Sequence, residues 1–139
     1  MDILKNENVK IISAYDSTIF EGYLKSFGYP INKKQHINRT HVDWQSLKGF
    51  SFFYDYVGNE DLFSLLMVSK ICNPDRKIIL ELNVDKPIIE LSSRLFAENW
   101  EDIINENSYG ISGMSSDGEL IFEFTDDSEY LLHSNFFIK

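Results

Sequence analysis

The chain has few of the residues that build covalently or metal-stabilised folds. Cys72 is the one cysteine among 139 residues, which excludes an internal disulfide framework and any multi-cysteine metal site. No apolar run approaches the length of about 18 residues that a transmembrane helix needs. The first ten residues contain no basic segment followed by a long apolar stretch, so we expect no secretory signal and a cytoplasmic location.

Positive charge is missing from one long stretch of the sequence. The net charge is −9, and residues 95–138 contain ten acidic residues but no Lys or Arg. Residues 1–50, by contrast, hold seven basic and five acidic residues. Because phosphate groups are bound by basic surfaces, we expect neither direct nucleic-acid binding nor binding to an anionic membrane. The charge pattern favours a positively charged protein partner.

Sequence motifs for several kinds of active site are also missing. The chain contains no GxSxG, no GxxxxGK[ST] and no GxGxxG. His36 and His41 lie five residues apart without the acidic residue of an HExxH motif, and hydrophobic residues interrupt the acids of 117–129 where a calcium loop needs ligands. We therefore predict no metal site, no cofactor and no enzymatic activity. The enzymatic alternative is a small enzyme that uses Cys72, or His133 with a nearby carboxylate.

Apolar and aromatic residues are abundant enough for one globular domain over residues 1–139, at 43% hydrophobic and 14% aromatic. Helices are predicted at 16–27 and 93–105, where apolar residues recur every three or four positions. The nearly continuous apolar residues of 60–71 fit either a helix or a strand. Strands are predicted at 50–56 and 78–82, followed by two hairpins within 111–138. The predicted fold class is α+β, with a largely antiparallel sheet whose C-terminal hairpins pack against two to three α-helices.

The last hairpins have a clear alternation of apolar and polar residues. Asp117-Gly118 predicts a two-residue type I′ turn. In the strand after it, Phe122 and Phe124 are expected to face the core, with Glu119 and Glu123 on the outward side. The next turn leaves two registers open, with either Tyr130 and Leu132 or Leu131 and His133 on the core face.

Acidic residues dominate the predicted outer surface of the C-terminal third. On the 93–105 helix, Glu98 has Glu101 and Asp102 as neighbours at i+3 and i+4, and each like-charge pair costs about 0.2–0.5 kcal/mol. A solvated face without a partner is one interpretation, and a docking face for a cationic partner is the other. The predicted contact residues are Glu98, Glu101, Asp102, Glu119, Glu123, Asp126, Asp127, Glu129 and, as an aromatic anchor, Tyr130.

The segment NWEDIINENSYGISGMSSDGELIFEFTDDSEYLLHSNFFI (residues 99–138) resembles small bacterial immunity proteins, and FSFFYDY (residues 50–56) is similar in style. Those proteins inhibit the toxins of contact-dependent growth inhibition and polymorphic toxin systems. The resemblance implies a cytoplasmic inhibitor without catalytic residues that binds one cognate toxin domain, often a basic nuclease, and blocks its active site or substrate groove. A non-catalytic adaptor for another basic partner is the alternative. The sequence does not indicate an oligomeric state.

Overall fold

Seven antiparallel strands form one sheet in the computed structural model, which describes residues 2–33, 40–57, 61–82, 85–107, 110–125 and 130–138. The strands, in chain order, are β1 (Lys10–Ser13), β2 (Phe52–Asp55), β3 (Lys77–Glu81), β4 (Ile88–Ser92), β5 (Ile111–Ser115), β6 (Ile121–Phe124) and β7 (Leu131–Ser134). Their order across the sheet is β1-β4-β3-β5-β6-β7-β2, so β1 and β2 are its two edges.

Within the described ranges, four α-helices accompany the sheet, and they confirm the predicted single-domain α+β fold. They are α1 (Ser17–Ser26), α2 (Leu62–Val68), α3 (Ser93–Glu98) and α4 (Trp100–Glu106), after a 3-10 helix at Ile3–Lys5. The α1 helix begins at a side-chain cap, where an oxygen of Asp16 accepts a hydrogen bond from the backbone N–H of Thr18 at 2.9 Å. The segment that fitted helix or strand is therefore helical over Leu62–Val68.

The single helix predicted at 93–105 is wrong, because the chain breaks it into α3 and α4 at Asn99. The Asn99 side-chain amide donates to the carbonyl of Leu95 at 2.9 Å, and the Asn99 backbone N–H donates to Phe96 at 3.0 Å. An asparagine side chain that bonds the backbone of the preceding turn competes with helical hydrogen bonding. Glu98 therefore lies on a different helix from Glu101 and Asp102.

Apolar side chains cover both faces of the sheet. On the three-helix face, residues of α2, α3 and α4 pack on the strands, among them Leu66 and Phe96 on Leu80 and Phe122. On the opposite face, called the α1 face, the buried side chains are Phe20 and Leu24 of α1, Val42 and Trp44, and Ile79, Ile88, Met114 and Ile121 from below. The sheet is therefore the middle layer of three.

The prediction that Glu123 lies on the outward, solvent-exposed side of its strand is wrong, because α1 and residues 40–47 cover that side. Ile121 packs in the α1-face cluster, and Glu123 is only 2% exposed. The open register is also settled: Leu132 lies opposite Tyr54 and Phe124 and belongs to the three-helix face, which leaves Leu131 and His133 on the α1 face.

The turn between β5 and β6 is longer than the predicted two-residue turn. The Ser115 N–H donates to the carbonyl of Leu120 at 2.8 Å, so four residues lie between the paired positions. Gly118 has a positive φ of 76°, whereas Asp117 does not, and a type I′ turn needs positive φ at both central residues. The Asp117 carboxylate instead accepts from the Glu119 N–H at 3.0 Å and stabilises the loop.

Gly110 occupies a position that a larger residue does not fit. Its φ is +90°, and a Cβ there would overlap the carbonyl oxygen of Phe124. Neither the positive φ nor the clash with the Phe124 carbonyl can be relieved by moving a side chain. We therefore expect Gly110→Ala to lower the free energy of unfolding by about 2–4 kcal/mol. Gly22 in α1 has no neighbour within 4 Å of its would-be Cβ, so Gly22→Ala should raise that free energy by about 0.5–1 kcal/mol. Urea unfolding followed by tryptophan fluorescence measures both, and equal effects would contradict this packing.

Candidate functional site

Three of the predicted contact residues lie on the surface of the α3–α4 pair. Glu98 is the last residue of α3, and Glu101 and Asp102 occupy the first turn of α4. All three are exposed. The positive end of the α4 dipole favours acids in that turn, which offsets part of the repulsion between them.

Tyr130, the predicted aromatic anchor, is joined to these acids by a row of rings. It is 48% exposed, and its ring packs edge-to-face on Tyr56 with the centroids 6.2 Å apart. Trp100, which begins α4, packs edge-to-face on the same Tyr56 ring, also at 6.2 Å. Tyr56 is itself fixed by a 2.7 Å hydrogen bond from its hydroxyl to the carbonyl of Thr125. We call Glu98, Trp100, Glu101, Asp102 and Tyr130 the acidic–aromatic face.

Glu119 lies in different surroundings, on the β5–β6 turn. Its side chain is 68% exposed and lies 4.0 Å from the guanidinium of Arg76, which also approaches Asp117 at 3.8 Å. The Tyr29 hydroxyl, just after α1, donates to the carbonyls of Gly118 and Glu119 at 2.6 and 3.0 Å. The structure therefore places Glu119 beside a cation. The predicted contacts Asp126, Asp127 and Glu129 lie outside the described residues.

Glu123, predicted as a surface contact, is instead the centre of a buried hydrogen-bond cluster. Its two oxygens accept four hydrogen bonds, from the backbone N–H of His41 (2.8 Å) and Val42 (2.9 Å), the indole N–H of Trp44 (3.0 Å) and the hydroxyl of Ser112 (2.6 Å). A buried carboxylate is tolerated where donors replace its water. Glu123 is therefore not available to a partner at the surface.

The His41 ring completes this cluster by bridging two further carboxylates. Its Nδ1 lies 2.9 Å from an oxygen of Glu21 on α1, and its Nε2 lies 2.7 Å from an oxygen of Glu81 on β3. Carboxylates on both nitrogens favour the imidazolium, which donates from both. His41 thus ties α1 and β3 to the same segment that Glu123 holds on β6.

The pKa values of His41 and Glu123 follow from this arrangement. Burial alone would lower the pKa of His41, but its hydrogen bond to Glu81, the charges of Glu123 and Glu81 and its hydrogen bond to Glu21 raise it from 6.5 to about 9. Burial raises the pKa of Glu123, against the opposing effect of the His41 charge and the donors around it. The positive charge of His41 and the negative charges of the surrounding carboxylates therefore stabilise one another.

The residues of the enzymatic alternative are placed as follows. Cys72 is fully buried with its Sγ 3.4 Å from the carbonyl of Ser93, and burial raises its pKa to about 11. Its thiol is therefore protonated at neutral pH, which does not favour a nucleophilic role. His133 is stacked on Trp44 at 5.5 Å and lies opposite Glu123 on the neighbouring strand. The carboxylate next to His133 is thus already occupied by four donors.

Sequence reasoning missed the buried cluster, because the donors of Glu123 lie far away along the chain. His41, Val42 and Trp44 are 79 to 82 positions before it. One local signal was present: Val42 and Trp44 interrupt an otherwise polar loop, and such apolar residues indicate that a loop crosses a core. His36, which was considered with His41 when no metal site was predicted, lies outside the described residues.

Comparisons of the chain with protein-family models, with curated proteins and with solved structures found no match. In the part of the chain that the structure describes, no three or more His, Cys, Asp and Glu side chains are grouped to hold a metal ion. None of the described helices has the length and hydrophobicity of a membrane span.

Glu123→Gln tests the buried carboxylate. Whichever way the amide is turned, its NH₂ group faces two donors that Glu123 satisfies. We expect the free energy of unfolding to fall by about 2–4 kcal/mol. The matched control is Glu119→Gln at an exposed position, which should change it by less than about 0.5 kcal/mol. Urea unfolding at pH 7 measures both. An unchanged free energy of unfolding in Glu123→Gln would contradict a stabilising role of the four hydrogen bonds to Glu123.

His41 predicts a loss of stability in alkaline solution. Since its pKa in the folded protein lies above the ordinary 6.5, its contribution is complete below pH 6.5 and is lost as the pH rises through about 9. Between pH 6 and 9.5, the wild type should therefore lose up to about 3 kcal/mol more unfolding free energy than His41→Gln. Urea unfolding at the two pH values gives this difference, and parallel losses in both proteins would exclude a stabilising imidazolium.

Proposed function

We propose that this protein binds and neutralises a positively charged toxin domain in the bacterial cytoplasm, as immunity proteins do, through the acidic–aromatic face. The observation that carries the proposal is the position of Tyr56, whose ring contacts both exposed Tyr130 and Trp100 at the start of α4. This contact joins an aromatic side chain and three exposed acids into one surface. Protein interfaces commonly have an aromatic centre and a polar rim.

Two cations beside α3 and α4 donate hydrogen bonds to backbone carbonyls. Lys86 donates to the carbonyl of Glu106 and the side chain of Asn107, both at 2.9 Å, at the C-terminal end of α4. Arg94, at the start of α3, donates from Nε to the carbonyl of Cys72 at 3.1 Å. The acids of the face lie at the other end of α4, which supports a cationic partner.

On this proposal, the toxin is neutralised because the carboxylates of the face occupy its positively charged groove. A nuclease groove that binds phosphates is positively charged, and a surface of carboxylates competes with nucleic acid for it. Carboxylates at the rim attract the partner and speed association, whereas burial of Tyr130 slows dissociation. No side chain of the inhibitor takes part in chemistry.

The gene of an immunity protein is expected directly beside the gene of its toxin. Glu101→Lys therefore tests the proposal against the protein product of the adjacent reading frame, purified in an inactive form. We expect about tenfold weaker binding and a smaller dependence of the association rate on salt, because a rim attraction becomes a repulsion. The control is Glu7→Lys, an exposed acid before β1 that changes the net charge equally; it should change affinity by less than about twofold. Stopped-flow association at low and high salt measures both.

Three outcomes separate the alternatives. A wild type that neither binds the adjacent product nor protects cells from it overturns the proposed function. Binding that Glu101→Lys and Glu7→Lys weaken equally reflects net charge and overturns the assignment to this face. Binding without protection favours the adaptor for another basic partner.

A further inference from the structure

The two edges of the sheet are built differently. At the β1 edge, the register shifts between Ile11 and Ser13, and Lys10 lies on the strand. A bulge and a lysine are the devices by which proteins protect an edge from pairing with another strand. At the β2 edge, the register with β7 is regular over all four residues, and the strand contains no Lys and no Pro. The strands are equally short, so length does not explain the difference.

Aromatic side chains are exposed on both faces of β2. Phe53 is 73% exposed on the α1 face. On the other face, the ring of Phe52 contacts Phe50 with centroids 6.0 Å apart and Phe137 at 5.6 Å, and both of these outer rings are exposed. A partner resting on one face of the sheet would cover only one of these groups. An added strand covers both, because its side chains alternate between the two faces.

The backbone of β2 presents a donor to such a strand. The Tyr56 N–H donates to the carbonyl of Tyr130, so Tyr56, Tyr54 and Phe52 direct their hydrogen bonds towards β7. Along an antiparallel strand, the backbone N–H and C=O groups of successive residues point alternately towards the paired strand and away from it. The N–H and C=O of Phe53 therefore point to the outer edge, where no described strand pairs with them.

The charge around this edge selects a basic segment. Between Lys48 and Lys70 the chain contains no Lys or Arg, and β5, β6 and β7 contain none either. Asp55 lies on β2 itself. The pKa of Tyr54 is raised first by burial and then by the negative charges of Asp61 and Asp55, so both carboxylates lie near the strand. Along the chain, Lys48 is the last cation before the strand. A second copy of this chain, with net charge −9, is electrostatically the poorer occupant.

We propose that β2 is a docking edge that adds an extended, positively charged segment of the partner protein as an eighth strand, covering Phe53 on one face and Phe50, Phe52 and Phe137 on the other. This inference rests on the proposed function for the partner. It adds a second, backbone-mediated contact to the acidic–aromatic face.

The experiment compares three substitutions in binding to the inactive product of the adjacent reading frame. Phe53→Pro removes the outward N–H without breaking a hydrogen bond to β7, and Phe53→Ser removes only the ring. Each should weaken binding by about tenfold. The control is Ile11→Ser on the β1 edge, 57% exposed, with an expected change below about twofold. Hydrogen exchange of the wild-type Phe53 amide should slow by about a hundredfold in the complex.

The possible results are distinguishable. If Glu101→Lys weakens binding, but the Phe53 variants bind like wild type and the Phe53 amide exchanges equally fast in the complex, this inference is overturned and the proposed function stands. If wild type does not bind the adjacent product, both are overturned. Should Phe53→Pro fail to fold, Phe53→Ser and the wild-type exchange rate decide. A wild-type dimer that Phe53→Ser converts to monomer in sedimentation assigns the edge to a second copy and overturns the basic segment.

Discussion

A carboxylate inside the protein determines how the second face of the sheet is covered. Glu123 is stable there only with donors around it, and three of its four donors come from residues 41–44. That segment must therefore cross the sheet, and His41 binds it further to α1 and β3 through Glu21 and Glu81. One buried charge thus holds together elements that are far apart in sequence.

Covering both faces restricts where a partner can bind. The central strands β3, β5 and β6 are buried nearly throughout, so they contribute packing and contribute little surface. Exposed side chains remain on the helices, on the turns and at the sheet edges. The acidic–aromatic face and the β2 edge are connected by the chain itself, since Tyr56, which holds Tyr130, directly follows β2.

Local patterns in the sequence predicted the elements well, and the environment of each face less well. The apolar spacing predicted α1, and the alternation around Phe122 predicted β6. Alternation shows which residues share a face, but not whether another layer covers that face. Glu123 was therefore assigned to the surface, and only contacts over some 80 positions, such as those from Val42 and Trp44, reveal its burial. The break at Asn99 was missed because a side-chain bond to the preceding turn leaves the apolar spacing unchanged.

The unequal edges of the sheet set a limit on assembly. A sheet with two open edges adds one strand after another and grows into a fibre. On the proposal that β2 adds a strand, the bulge and Lys10 at the β1 edge stop growth by edge pairing after that single addition. The bulged edge strand β1 thus prevents further strands from pairing at that end of the sheet. A protein can thus keep one adhesive edge in a crowded cell and still form only particles of defined size.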